Sequence, residues 1–131
     1  MRAWIVAASL LAASPAVGQT SAESQRSQLL TWAREQSFMA FAAHAAHTCG
    51  HRDRAWLARV MQHLTTAETA AARDLPHALP GGGPQSAGVM QGAGIAGATL
   101  GQAEATYRRD SLCHAVREGQ TLRFLDGLLT R

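Results

Sequence analysis

The stretch His44-Ala45-Ala46-His47-Thr48-Cys49-Gly50-His51-Arg52-Asp53 decides how this chain folds. Up to Cys49 the residues are Ala-rich, with apolar side chains at the helical period. Gly50 then supplies a residue that tolerates the left-handed backbone in which helices commonly end. Asp53 offers an N-cap, a carboxylate that accepts the unpaired N–H groups of a second helix. A helix, a stop and a new start make a tight corner. The other cysteine, Cys113, lies near the end of a third helical run. In an up-down-up bundle the first and third helices are parallel, so Cys49 and Cys113 fall at the same end. Two cysteines allow one intramolecular connectivity. Disulfides persist in oxidising compartments, so this pair predicts an exported protein.

The N-terminus agrees with export. Residues 1–18 read as a secretory signal. Arg2 supplies the positive region, residues 3–13 the apolar region, Pro15 a helix breaker and Ala16-Val17-Gly18 small residues at a cleavage site. The apolar run is well short of the ~20 residues a membrane span needs. The mature chain, residues 19–131, is the length of one domain with one modest core.

The first helix is expected to begin with Thr20 or Ser21 as cap and Glu23 reaching back, and to run to about Thr48. Its expected buried stripe is Phe38, Phe41, Ala42, Ala45 and Cys49, widened by Trp32 and Met39, with Arg34 near the extension of the stripe. The second runs from about Asp53 to Arg73 and Asp74. It buries Leu57, Val60, Met61, Leu64, Ala67 and Ala71, with Trp56 flanking and Glu68 inside the stripe, where it must snorkel or pair. A Pro/Gly-rich loop follows over about residues 75–86, marked by Pro80-Gly81-Gly82-Gly83-Pro84.

Residues 75–103 carry no formal charge. Gly92, Gly94, Gly97 and Gly101 would each cost about 1 kcal/mol relative to alanine in a helix. Helical stripes nevertheless run through them. One is small (Gly94, Ala98, Gly101, Ala105) and the other is Ala93, Ala96, Leu100, Ala103 and Tyr107. Small residues let backbones approach closely, so a third helix is predicted over about residues 86–118, with frayed first turns. Gly94, Gly97, Ala98, Gly101 and Ala105 form the candidate interaction surface or dimer interface. A short terminal helix over about residues 121–129 carries Leu122, Leu125 and Leu129 on one side. The predicted fold is all-α: a small up-down-up bundle of three long helices plus a short C-terminal helix, pinned by Cys49–Cys113.

The residues argue against most chemistry. Twelve basic residues, all arginine, oppose nine acidic ones, and the two signs alternate along the chain. Clustered positive charge, the mark of a nucleic-acid surface, is missing. Gly92-Ala93-Gly94-Ile95-Ala96-Gly97 spells G-x-G-x-x-G. That fingerprint binds nucleotides only between a strand and a helix, and Pro80 to Pro84 precedes it. No C-x-x-C or C-x-x-C-H occurs, nor a G-x-S-x-G elbow, and the carboxylates show no pairing. Cys113 and His114, adjacent on a helix, point about 100° apart, which is poor geometry for a thiolate–imidazole dyad.

Three readings of function follow. The first is an exported non-enzymatic interaction module that binds an unknown protein partner or a second copy of itself. The second is a periplasmic metal-binding protein, with His44, His47 and His51 as ligands for Zn or Cu, the one cofactor class the residues suggest. A mixed site of Cys49, His51, Cys113 and His114 would need reduced thiols, which an oxidising compartment disfavours. The third is a pH-responsive periplasmic chaperone, since histidines gain charge as pH falls through about 6.5.

Overall fold

The computed structural model describes residues 21–131. The signal reading of residues 1–18 and the capping role of Thr20 lie outside the described residues. Five helices and no strand occur among the described residues: α1 (Ser21–Thr48), α2 (Arg54–Arg73), α3 (Gly82–Tyr107), α4 (Arg109–Glu118) and α5 (Gln120–Leu128).

The corner forms as its residues require. Gly50 adopts φ +78°. Its N–H bonds to the His47 carbonyl and that of His51 to the Ala46 carbonyl, so two carbonyls at the end of α1 are satisfied. Asp53 caps α2, accepting the Trp56 N–H at 2.8 Å. Capping by a side-chain oxygen is worth about 1 kcal/mol.

The seam between α1 and α3 sets the architecture. A Cβ on Gly97 would collide with the Ser37 carbonyl, and one on Gly101 with the Phe41 carbonyl. Four residues onward in α3 meets four residues onward in α1, so the two helices run parallel with backbones in contact. Gly94, Gly97, Gly101 and Ala105 are buried on this seam. That corrects their expected role as an external surface: they are the inner face of α3, and Ala98 is half-buried beside them.

The same close approach explains the rotated burial of α1. The residues inside are Leu29, Gln36, Ala40, Ala42, Ala43, Ala45 and Ala46, whereas Phe38 is 55% exposed. A phenyl ring does not fit where helix backbones touch. On α2, Trp56 belongs to the core rather than its flank, and Ala67 is exposed. Trp56, Val60, Leu64 and Ala72 align at multiples of four.

Two apolar clusters result. Near the corner, Ala43, Ala46, Trp56, Val60 and Leu64 pack with Leu122 and Leu125 of α5. At the far end, Leu29, Ala72, Leu75, Ala78 and Met90 form the second. Gln36 lies between them on α1, 2% exposed, and its Oε1 has no hydrogen-bond partner. An unpaired buried acceptor costs about 1–3 kcal/mol.

The boundaries of the third run differ from expectation. α3 starts at Gly82, inside the expected loop, because Pro84 falls in the first turn, where its missing N–H costs nothing. That turn is packed rather than frayed. A Cβ on Gly83 would strike the Arg73 carbonyl, and Ser86 Oγ donates to the Leu75 carbonyl at 3.4 Å. The run also breaks at Arg108 (φ −119°, ψ 43°) instead of continuing to Glu118. An unbroken helix would hold Arg108 on the inward stripe that passes through Gly101 and Ala105. The break leaves its side chain 61% exposed and paired with Glu104 at 3.1 Å. Gly119 (φ −75°, ψ 152°) then ends α4, and α5 lies across α1 and α2.

The glycines of α3 should separate in mutagenesis. Gly92→Ala meets nothing within 4 Å and should raise stability by up to about 1 kcal/mol through helix propensity. Gly97→Ala and Gly101→Ala should lower it by about 1–3 kcal/mol through overpacking. Urea denaturation followed by circular dichroism reads both signs.

Candidate functional site

Cys49 and Cys113 form the predicted disulfide, with Cα atoms 5.5 Å apart. Cys49 closes α1 at the corner, and Cys113 is carried on α4, past the break at Arg108. Arg109, Arg117 and His114 rim the bond in a hollow of about 270 Å³.

The three candidate metal ligands are brought to this end of the molecule but not to one point. His47 Nδ1–H donates to the Arg52 carbonyl at 3.1 Å, and His51 Nε2–H donates to the Cys113 carbonyl at 2.8 Å. Each of these bonds engages one ring nitrogen and leaves the other, His47 Nε2 and His51 Nδ1, with its lone pair. His44 Nδ1 instead accepts from Gln102 Nε2 across the α1–α3 seam at 3.1 Å. Burial, then the neighbouring His47, push the His44 pKa down. Among the described residues no three His, Cys, Asp or Glu side chains are placed to share a metal ion. His47 and His51 bond to carbonyls at the corner and His44 to Gln102 of α3, and the mixed site fails because its two sulfurs are bonded to each other. The G-x-G-x-x-G stretch lies in the interior of α3, with no strand before it.

Sequence reasoning missed the polar lock beside the corner. Asp126 of α5 accepts from Arg52 Nε at 3.0 Å, Arg52 Nη2 at 2.7 Å and Trp56 Nε1 at 2.8 Å. The Arg52 guanidinium also lies 5.9 Å from the centre of the Trp56 ring. Three groups far apart in sequence meet here, so no local signal announces them. The Arg52 bond, opposed by desolvation and aided by the Trp56 bond, holds the Asp126 carboxyl below the ordinary range. Glu68 is the opposite case. It is half-buried and joins no ion pair found among the described residues; its Oε2 is buried without a hydrogen-bond partner, and burial, then Glu35, push its pKa up.

The remaining candidate is an external face. On α3 one stripe meets α1 (Gly94, Gly97, Gly101, Ala105) and a second lies toward α2 (Gln91, Ile95, Ala98, Gln102). The third stripe, Ala93, Ala96, Leu100, Ala103 and Tyr107, faces outward at about 100° per residue. Leu100 is 55% and Tyr107 86% exposed. On α1, Leu30 and Phe38 are also exposed. Phe38 continues into an apolar hollow of about 170 Å³ with Phe41, Leu112, Val116 and Leu122. Leu30, Phe38, Leu100 and Tyr107 are among the large exposed hydrophobic side chains of the described residues.

Comparison of the chain with protein-family models, with curated proteins and with solved structures gives no match.

Two outcomes follow for the corner. Cys49→Ser with Cys113→Ser should lower the unfolding free energy by about 4 kcal/mol, the loop-entropy value for a sequence separation of 64. Urea titration of the double variant beside the oxidised protein tests it. Asp126→Asn should cost about 1–2 kcal/mol at pH 7, because the charge-assisted bonds are discounted for a carboxylate that is 39% exposed. Its folded pKa lies below the unfolded one, so the stabilisation is complete above the unfolded pKa and lost as pH falls through the folded value. The gap between wild type and variant should therefore close below about pH 4 in a melting-temperature series.

Proposed function

We propose that this chain is an exported, non-enzymatic interaction module that docks a helical partner protein on the outward face of α1 and α3. Export is supported by the Cys49–Cys113 bond, which would not persist in a reducing compartment. No helix among the described residues is long and apolar enough to cross a membrane. The observation that carries the docking reading is the exposure of Phe38, Leu100 and Tyr107, with Leu30, beside an α3 stretch that has no formal charge through residue 103.

The chemistry of that face selects its partner class. Alanines between large side chains leave a shallow, ridged surface into which another helix can pack. Tyr107 and the two phenylalanines are the residue types that anchor interfaces. The α3 half carries no charge to desolvate through residue 103, whereas exposed Arg34 stands one turn from both Leu30 and Phe38 on α1; this surface can meet a second copy of the chain or a different helical protein.

A photo-crosslinking amino acid placed at Leu100 or Phe38 in cells should yield a discrete protein adduct. The same group at Gln62, exposed on α2, should not. Leu30→Glu should erase the Leu100 adduct while leaving the melting temperature within a few degrees. An adduct of twice the chain mass identifies the partner as a second copy. Equal labelling from Leu100 and Gln62 would remove the face from consideration.

A further inference from the structure

The Cys49–Cys113 bond is not sealed in the core. Both cysteines are half-buried and line the open hollow at the corner, together with His51, Arg109, Asp110, His114 and Arg117. Cys113 is four residues from Arg109 and four from Arg117, so along one face of α4 it has an arginine one turn to either side. Both arginines are exposed, and neither joins an ion pair found among the described residues. Asp110 is the one acid of the lining, so formal positive charge prevails there.

The two sulfurs stand in unlike surroundings. Nearby positive charge stabilises a thiolate, and Cys113 is the cysteine flanked by arginines. Cys49 directly follows Thr48, the last residue of α1, where the carbonyl end of the helix disfavours an anion. A pair so unequal breaks in one sense. A thiolate attacks the Cys49 sulfur, and the Cys113 sulfur, the better leaving group, departs. α4 buries no residue. The departing sulfur therefore moves off without drawing a buried side chain out of either apolar cluster.

We propose that Cys49–Cys113 is an exchange site for small acidic thiols. Arg109 and Arg117 hold the carboxylate of the incoming molecule while its thiolate attacks Cys49 Sγ. A new S–S bond joins that sulfur to Cys49, the old bond breaks, and its electron pair leaves on Cys113 Sγ as a thiolate. One thiolate is consumed and one is released, so the step needs no further oxidant or reductant. The disulfide restricts the reactive class to thiols. The arginines select the acidic ones, and a hollow of about 270 Å³ restricts them to small molecules.

Exchange kinetics of the oxidised full chain with mercaptoacetate, mercaptoethanol and mercaptoethylamine test this, the three being acidic, neutral and basic. Each rate is expressed per thiolate and corrected for nucleophilicity with a Brønsted slope of about 0.4–0.5. The acid should react about fivefold faster than the neutral thiol and about tenfold faster than the amine. Molar salt should compress that spread to about twofold. Arg109→Gln with Arg117→Gln, both at exposed positions, should bring the three thiols within about twofold of one another, with the melting temperature retained. After brief exposure to mercaptoacetate and trapping with a maleimide, the adduct should be on Cys49 and the maleimide on Cys113. The two cysteines fall in different tryptic peptides, so mass spectrometry separates them. Equal corrected rates for the three thiols overturn the proposal. So does a preference for the acid that survives loss of both arginines, or an adduct chiefly on Cys113. The rate comparison and the adduct position are read on the wild-type chain, so they decide the matter even if the double variant does not fold.

Discussion

Backbone-to-backbone contact between α1 and α3 is the constraint on which this structure depends. Gly97 and Gly101 let α3 lie against the carbonyls of Ser37 and Phe41, closer than any side chain would allow. The glycines lose about 1 kcal/mol each in helix propensity, and close packing along the seam offsets it. Much else follows from this contact. The parallel register carries the chain on to bring Cys113 beside Cys49. Alanines rather than phenylalanines occupy the inner arc of α1. Phe38 is left exposed on the outer side of α1.

The disulfide and the Asp126 lock act at the same end by different means. The cysteine bond closes a separation of 64 residues, and its loop-entropy value of about 4 kcal/mol approaches the net stability of a small domain. The lock holds α5 down. An exposed ion pair such as Arg108–Glu104 is worth little alone. Arg52, Trp56 and Asp126 form a set in which one carboxylate satisfies donors on the corner and on α2. Trp56 is thereby able to be buried, since its indole N–H keeps a partner.

Two polar atoms run against this economy. Gln36 Oε1 lies between the apolar clusters without a donor, and Glu68 Oε2 is buried near Glu35 without a partner. Local rules fail most often where a molecule does something besides fold. Gln36 lies under the groove between α2 and α3. The raised pKa of Glu68 means that protonation on acidification relieves a folded-state penalty.

The chain by itself determined the number and order of the long helices, the stop at Gly50, the cap at Asp53 and the Cys49–Cys113 pair. Each is a local matter of period, backbone freedom or capping, or follows from topology with only two cysteines to join. It also marked the small stripe of α3 as a contact surface, but could not say what it touches. A stripe of glycine and alanine reads the same whether its neighbour is α1 or another molecule. Tertiary structure alone decided that Gly94, Gly97, Gly101 and Ala105 face inward and that Phe38 is exposed. It also parted His44, His47 and His51 among separate partners and joined Arg52, Trp56 and Asp126. These outcomes rest on distances between residues tens of positions apart, which periodicity does not encode. The physical reason is steric: only when the helices meet is it settled which face is thin enough for contact, and every other face turns accordingly.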